Sequence, residues 1–262
     1  MTGNWKLEAG NWKLASNMTS DARTQTEHAV LTLREMLLRG DFKPGQHLSE
    51  LSLLPTIKAS RTQIRVALER LAQEGLLEAL PTTGFRVRGF ALNDIWDAIE
   101  IRGVLEGTAA RLAAERLESP DELGALRLHC RQAEELLPIT RERFARYAEI
   151  NEAFHAGLWR LAKSPMLRRA IEQMIALPFT APGALVFSWP DPEEGNNEAV
   201  IAIEHHRALV EAIELREAAR AESLAREHAR LARRALRRAL QNADPFRTAP
   251  GANLVTWRKD TD

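Results

Sequence analysis

The 262-residue sequence lacks the features that mark a secreted, disulfide-stabilised or membrane-spanning protein. Its one cysteine, Cys130, excludes an internal disulfide framework and a cysteine-rich zinc module. No apolar run approaches the roughly 18 residues that span a bilayer, and the N-terminus lacks the apolar core of a signal peptide. Net charge is also absent, because 36 basic residues balance 36 acidic ones. We therefore expect a cytoplasmic protein of about two domains, at roughly 150 residues per domain.

Composition and periodicity divide the chain into four segments. Residues 1–19 carry two copies of Gly-Asn-Trp-Lys-Leu and are expected to form a flexible arm, because termini are poorly ordered unless they are tied down. Residues 20–90 mix helix and short-strand signals. Residues 91–241 are rich in Ala, Leu, Glu and Arg, with apolar residues every three or four positions, which predicts an all-α helical bundle. Residues 242–262 lose this period and are expected to form a flexible tail.

The fold class is therefore mainly α, with an N-terminal winged helix-turn-helix and a C-terminal helical bundle. In the first module, Ser60 is placed to cap a helix, and Pro55 should either kink the preceding helix or confine it to a short segment. The predicted elements are a helix over 27–38, a short helix from Ser49, a helix over 61–73 and a hairpin with strands over 76–80 and 85–87. The predicted helices of the bundle are 92–117, 120–137, 141–162, 165–177, 196–214 and 216–241.

The helix over 61–73 has the features of a DNA-recognition helix. The major groove accepts one α-helix, and hydroxyl, amide and guanidinium groups at its start can bind phosphates and base edges. The residues of these types are Ser60, Arg61, Thr62, Gln63 and Arg65. Between residues 58 and 90, six basic residues stand against three acidic ones, so this segment carries a local charge of +3 that favours DNA. The alternative is an ordinary amphipathic helix whose arginines face solvent.

A set of turn, capping and apolar residues follows a fixed order over residues 25–90. Its members are Gly40, Pro44, Gly45, Leu48, Ser49, Glu50, residues 60–68, Leu71, residues 74–77 and Gly84. This order resembles the N-terminal domain of the GntR family of bacterial transcription regulators. The resemblance implies DNA binding, with Arg61 and Arg65 facing the groove, Ser60 and Thr62 beside them and Gly84 at the wing tip. The sequence departs from the family pattern at Lys58, Val66 and Pro55.

Three histidines and an asparagine are spaced as a metal site would require. Asn151 and His155 are four residues apart and share one helix face. A turn near Leu215 would place His206 and His228 on adjacent antiparallel helices. Three imidazoles and one oxygen ligand can hold Zn²⁺ or a related divalent ion in a bundle. The alternative is a set of core or surface histidines, since seven histidines in helices form some pairs by chance.

The helical segment carries a second ordered set of residues over 92–240. Its members are Asp97, Arg102, Leu105, Glu106, Ala109, Ala110, Leu112, Ala113, Asn151, Phe154, His155, residues 204–209, Ala219, Ala225 and His228. This set resembles the FCD effector-binding domain of the FadR subgroup of GntR regulators. Many members bind a metal at the positions of Asn151, His155, His206 and His228, and the ion leaves coordination positions open for a small carboxylate. His205 is a rival for His206, but the residues that follow favour His206.

Arg102 is the candidate second anchor for that carboxylate effector, because a guanidinium group pairs with a carboxylate through two hydrogen bonds. Its alternative role is a helical ion pair with Glu106. We expect a homodimer whose two winged modules bind a roughly palindromic double-stranded operator. Effector binding would change operator affinity by favouring one of two conformational states.

Two other functions fit a metal in a helical bundle. In a metal-dependent hydrolase or lyase, the ion would activate water, but no general base lies at motif spacing and the winged module would have no role. In a metal sensor, the ion itself would be the signal. The sequence therefore favours a regulator over an enzyme, with no catalytic residues and no membrane partner.

Overall fold

The computed structural model describes residues 22–81, 84–182, 192–241 and 251–256. The N-terminal elements are α1 (Ala22–Arg39), β1 (His47–Leu48), α2 (Glu50–Leu53), α3 (Arg61–Gln73), β2 (Leu77–Ala79) and β3 (Phe85–Val87). The elements that follow are α4 (Leu92–Arg116), α5 (Gly124–Glu135), α6 (Arg141–Leu161), α7 (Pro165–Ile175), α8 (Pro192–Glu214) and α9 (Ala218–Gln241). In the described part of the chain, 3₁₀ helices span Pro120–Leu123 and Ala252–Leu254. The arm expected over residues 1–19 lies outside the described residues.

The first module is the winged helix-turn-helix that the sequence predicts. Its three strands form an antiparallel sheet in the order β1-β3-β2, with His47 opposite Arg86 and Leu77 opposite Val87. The helix α2 ends at Leu53, just before Pro55, because proline cannot donate the backbone hydrogen bond that a longer helix needs. The apolar face of α3 is fully buried against α1 and β2, and it consists of Ile64, Ala67, Leu68 and Leu71.

The start of α3 is fixed by a local capping box. The Ser60 hydroxyl accepts a hydrogen bond from the Gln63 backbone N–H at 3.3 Å, and the Gln63 side-chain oxygen accepts one from the Ser60 backbone N–H at 2.8 Å. Both N–H groups would otherwise lack a partner at a helix N-terminus. The predicted cap at Ser60 and the predicted helix over 61–73 are confirmed. The capping bonds also fix the backbone that carries the polar residues at the start of α3.

The second module is an all-α bundle in which the long helix α4 packs against α6, α7, α8 and α9. Its contact with α9 is close because α4 has glycine at two facing positions. A Cβ atom at Gly107 would lie 2.7 Å from Cγ of Arg226, and one at Gly103 would lie 3.0 Å from Cβ of Ala229. This approach brings His228 of α9 close to the buried side chains of α4. No described helix combines the length and apolar character needed to cross a bilayer.

Part of the segment that was expected to be a flexible tail packs onto the winged module. Within residues 251–256, Leu254 is fully buried and Val255 is 6% exposed, and both belong to the apolar core that contains Leu33 and Leu68. The expectation of a flexible tail does not hold for these six residues, because they bury apolar side chains that sequence periodicity alone cannot assign to a core. The other residues of 242–262 lie outside the described part of the chain.

Candidate DNA-binding surface and metal centre

The start of α3 presents an exposed polar surface. Arg61, Thr62 and Arg65 are exposed, and Arg65 lies 3.1 Å from Glu69 one turn further along the helix. Gln63 is half-buried, and its amide nitrogen donates to the Gln25 side-chain oxygen at 3.0 Å while its oxygen caps α3. The predicted DNA-contacting residues therefore divide into outward-facing side chains and a capping pair that is already bonded within the module.

The predicted wing tip lies beside β1. Gly84 has φ +77°, and a Cβ atom there would lie 2.6 Å from the Leu48 carbonyl oxygen. Both the backbone conformation and the close approach therefore require glycine. Residues 82 and 83, which precede Gly84, lie outside the described residues, while Arg86 of β3 is exposed and adds a basic group to this side of the module.

Three imidazoles converge inside the helical bundle. His155 of α6, His206 of α8 and His228 of α9 are 2%, 3% and 8% exposed. The Nε2 atom of His228 lies 3.2 Å from Nε2 of His206 and 3.2 Å from Nε2 of His155. Each of the three residues offers one nitrogen, and these nitrogens all lie within 4.8 Å of one another. Helix spacing and the resemblance to the FCD domain together predicted this set, and the structure brings the three residues together from three helices.

The donor set fits a tetrahedral divalent cation. Zn–N bonds of 2.0–2.1 Å place two tetrahedral ligands roughly 3.3–3.4 Å apart, close to the 3.2 Å separations observed. Hydrogen bonding alone explains this cluster poorly, because His228 Nε2 is either protonated or bare and cannot pair well with two nitrogens at once. Burial holds the pKa of His206 and of His228 well below the usual range, which favours the neutral imidazole that binds metals.

A buried glutamate supports this cluster from α4. Oε1 of Glu106 lies 3.4 Å from Nδ1 of His155, the ring nitrogen on the far side from the cluster, and 4.0 Å from Nε of Arg102. Burial by itself raises the pKa of Glu106, but nearby His155 and Arg102 lower it to about 2, so the carboxylate is ionised at neutral pH. A carboxylate beside Nδ1 favours the tautomer that is protonated there, which leaves the lone pair of Nε2 available to a metal.

This role of Glu106 was not predicted, because the sequence indicates Glu106 only as a member of the FCD-like set and as a helical partner of Arg102. A signal was present: Glu106 lies among Gly103, Gly107, Ala109 and Ala110, which form the small-residue face of α4 that packs inside the bundle. A charged side chain on such a face must be buried, and a buried carboxylate needs partners.

The other residues predicted for this site are buried or half-buried in the bundle. Asn151 is 7% exposed and lies one turn before His155 on the same face of α6. His205 is half-buried and is not part of the group of three, although its ring centroid is 5.9 Å from that of His228. Arg102 is 2% exposed, and its Nη1 donates to the Thr180 carbonyl oxygen at 2.5 Å, while its Nε has no hydrogen-bond partner among the described residues.

A winged module joined to a helical bundle with a buried cluster of three histidines defines a class of two-domain bacterial regulatory proteins. Residues 25–87 match the sequence family described as bacterial regulatory proteins, gntR family, and residues 97–231 match the FCD domain. The chain therefore belongs to the GntR family and carries an FCD domain.

Individual relatives agree with this assignment. The chain is 32% identical over 133 residues to the Nta operon transcriptional regulator of Aminobacter aminovorans, across 51% of this chain and 61% of that protein. It is 29% identical over 180 residues to the probable D-xylose utilization operon transcriptional repressor of Paenarthrobacter nicotinovorans, across 68% and 74% of the two chains. For several curated relatives, the matched segment spans only about three fifths of their length.

A solved structure shows the same fold. The chain resembles Escherichia coli McbR/YncC with a TM-score of 0.59 and 21% sequence identity, across 87% of this chain and 100% of that one. At this identity the likeness concerns the fold alone.

Proposed function

We propose that the protein is a DNA-binding transcription regulator whose operator affinity is controlled by a small carboxylate at a divalent metal centre. The observation that carries the proposal is the convergence of three buried Nε2 atoms, from His155, His206 and His228, within the FCD domain. Asn151 would supply an oxygen ligand from the turn before His155, and zinc fits this donor set. The ion would supply open coordination positions for the carboxylate.

The charges around the cluster support an anionic effector. Neutral imidazoles and the neutral Asn151 amide would leave both positive charges of the ion uncompensated by its ligands. The carboxylate of Glu106 is already balanced by Arg102, at 4.0 Å. A loaded site would therefore hold a net charge near +2 in a buried region, which is costly unless an anion enters. A dicarboxylate balances this charge better than a monocarboxylate does.

Arg102 is the proposed second anchor of that anion. Its Nε has no hydrogen-bond partner among the described residues although the side chain is 2% exposed, and an unpaired buried donor favours the arrival of an acceptor. The contact with Glu106 is long for a hydrogen bond, so the helical ion pair leaves the donor capacity of the guanidinium partly unused. Arg102 would then hold the effector through a charge-assisted hydrogen bond.

The exposed start of α3 supports the DNA-binding half of the proposal. Arg61, Thr62 and Arg65 project from the first turns of the helix, where a winged helix-turn-helix meets the major groove. In the proposed homodimer, two copies of α3 would read the half-sites of a roughly palindromic operator, and their separation would depend on how each winged module is held on its FCD domain.

The metal content of the purified protein tests whether the cluster of three histidines binds an ion. Protein purified without a metal-affinity tag is analysed by mass spectrometry, and we expect about one zinc-like ion per chain, as a single tetrahedral site requires. His206→Ala should lose the ion, whereas the neighbouring His205→Ala should keep it. Protein that contains no metal and takes up none would overturn the metal centre.

Operator binding tests the other two parts of the proposal, the carboxylate effector and specific DNA binding. Duplexes selected from a random pool by the metal-loaded protein serve as the operator. The affinity of the protein for these duplexes is then measured in the presence of succinate or of butyrate, at equal ionic strength. Succinate should change the affinity more than butyrate does, because it carries the second negative charge. Affinity that follows metal concentration without any carboxylate would favour a metal sensor, and a failure to select any sequence would overturn specific DNA binding.

A further inference from the structure

Residues 251–256 lie outside both matched domains, yet they contact three separate parts of the molecule. The GntR match ends at residue 87 and the FCD match covers residues 97–231. The linker between the two modules and residues 251–256 both lie outside the matched ranges, and they contact each other. We call residues 251–256 the C-terminal clamp.

The first contact caps the end of α1. The backbone N–H of Gly251 donates to the Leu38 carbonyl oxygen at 2.8 Å, and the Asn253 side-chain amide donates to the Leu37 carbonyl oxygen at 2.9 Å. Carbonyl groups in the last turn of a helix have no partner in the helix itself. Gly251 has φ +87°, which glycine adopts without strain, so the chain can turn into this contact.

The second contact holds the linker between the modules. The Phe90 N–H donates to the Leu254 carbonyl oxygen at 2.8 Å, and the Thr256 N–H donates to the Phe90 carbonyl oxygen at 2.8 Å. Phe90 therefore pairs with the clamp through both its backbone N–H and its backbone carbonyl, in a parallel bridge to Val255. A Cβ atom at Gly89 would lie 2.6 Å from Cγ2 of Thr256, so the linker is shaped to receive the clamp.

The third contact reaches the connection that holds Arg102. A Cβ atom at Gly251 would lie 3.0 Å from Cβ of Pro178, so the clamp lies directly against the chain that follows α7. Two residues further along, the Thr180 carbonyl oxygen accepts the hydrogen bond from Arg102. Between them, Phe179 is 3% exposed and belongs to the same apolar core as Leu254. The clamp and Arg102 are thus joined through residues 178–180.

We infer that the C-terminal clamp fixes the winged module on the FCD domain and links that arrangement to Arg102. Because the clamp binds α1, the linker and Pro178 together, movement of residues 178–180 would disturb a contact that sets the position of α3. An effector that drew Arg102 away from Thr180 would act on this contact, and this part of the inference rests on the proposed function. Release of the clamp would free rotation about the linker and alter the spacing of two α3 helices on DNA.

Hydrogen exchange on two shortened chains tests the inference. One chain ends after Pro250 and lacks the clamp, and its matched control ends after Thr256 and keeps it. Without the clamp, the Phe90 amide should exchange about tenfold faster or more, because its acceptor is gone and the linker opens locally. The Thr180 amide should also exchange faster, while amides within α5 and α6 should not change.

The outcomes separate the parts of the inference. Equal exchange of the Phe90 amide in the two chains would overturn the clamp. Faster exchange at Phe90 with no change at Thr180 would support the clamp and overturn its link to Arg102. If the shorter chain does not fold, the double substitution Asn253→Ala and Thr256→Pro in the 262-residue chain is read at the same amides. It removes three of the clamp's donors, namely the Asn253 amide and the backbone N–H and hydroxyl of Thr256.

Exchange needs no metal, carboxylate or DNA, so its result does not depend on the proposed function. The same two chains are then compared for binding to the selected duplex. The chain without the clamp should bind several-fold more weakly, whereas a lack of sequence-selective binding by both chains would count against the proposed function and not against the clamp.

Discussion

Two Arg–Glu pairs with the same spacing lie in opposite environments. In α3, Arg65 and Glu69 are four residues apart, 3.1 Å from each other, and their side chains are 66% and 48% exposed. In α4, Arg102 and Glu106 have the same four-residue spacing, at 4.0 Å, but their side chains are 3% and 1% exposed. The residue types and the helical spacing are identical, so the difference comes entirely from what surrounds each helix.

Burial decides what each pair can do. An exposed pair contributes about 0.3–0.5 kcal/mol to helix stability. The two side chains can therefore separate at little cost, and each can then contact water or DNA instead. A buried pair cannot be separated cheaply, because either partner alone would be an uncompensated charge in the interior. The α3 pair is therefore suited to a binding surface, and the α4 pair to an internal site that responds only to a ligand of matching charge.

The largest expected difference between the two pairs is in stability. Glu106→Gln should lower the free energy of unfolding by about 3–5 kcal/mol, because Arg102 is left buried without its counter-charge. Glu69→Gln, the same substitution in the exposed pair, should change it by less than about 0.5 kcal/mol. Urea denaturation of both variants, freed of metal by a chelator, measures the difference. Similar losses in the two variants would show that burial does not separate the pairs.

The proposed metal centre extends this comparison, because all of its ligands would be buried side chains. His206→Ala should weaken zinc binding by about 100-fold or more, since it removes a direct ligand, and removal of a group that merely orients a ligand already costs roughly 10–100-fold. Competition with a coloured chelator measures the zinc affinity. The adjacent His205→Ala is the matched control, and an equal loss in that variant would transfer the ligand role away from His206.

We expect the exposed pair to affect DNA affinity, whereas the buried pair affects the free energy of unfolding. Arg65→Ala should weaken binding to the selected duplex by about 1–3 kcal/mol if Arg65 reads a base. Glu69→Ala removes the partner of Arg65 and leaves the guanidinium available, so it should not weaken binding. Fluorescence anisotropy at fixed salt measures both dissociation constants. An unchanged constant for Arg65→Ala would remove this residue from the interface.

Local structure was predictable from the sequence, whereas contacts between distant parts of the chain were not. The start of α3 follows from Ser60 and Gln63, whose capping contacts span three residues, so the local sequence is enough to predict it. Helix spacing placed His155 one turn after Asn151 and, with one assumed turn, His206 near His228, whereas the resemblance to the FCD domain joined the three histidines in one set. The contact of Glu106 with His155 and the packing of Leu254 on the winged module join distant parts of the chain. No local pattern encodes such contacts, because they depend on which helix faces approach each other.

The smallest expected effect concerns Ser60, which the sequence assigned to both roles in this comparison. Its hydroxyl caps α3, so Ser60→Ala should lower the free energy of unfolding by about 1 kcal/mol. Ser60→Asp keeps an oxygen acceptor at the N-cap and should preserve stability. Aspartate at this exposed position would nevertheless repel DNA phosphates, so Ser60→Asp should weaken binding to the selected duplex while Ser60→Ala alters it less. Denaturation and anisotropy on the two variants therefore separate the roles, and full DNA affinity in Ser60→Asp would place Ser60 in the cap alone.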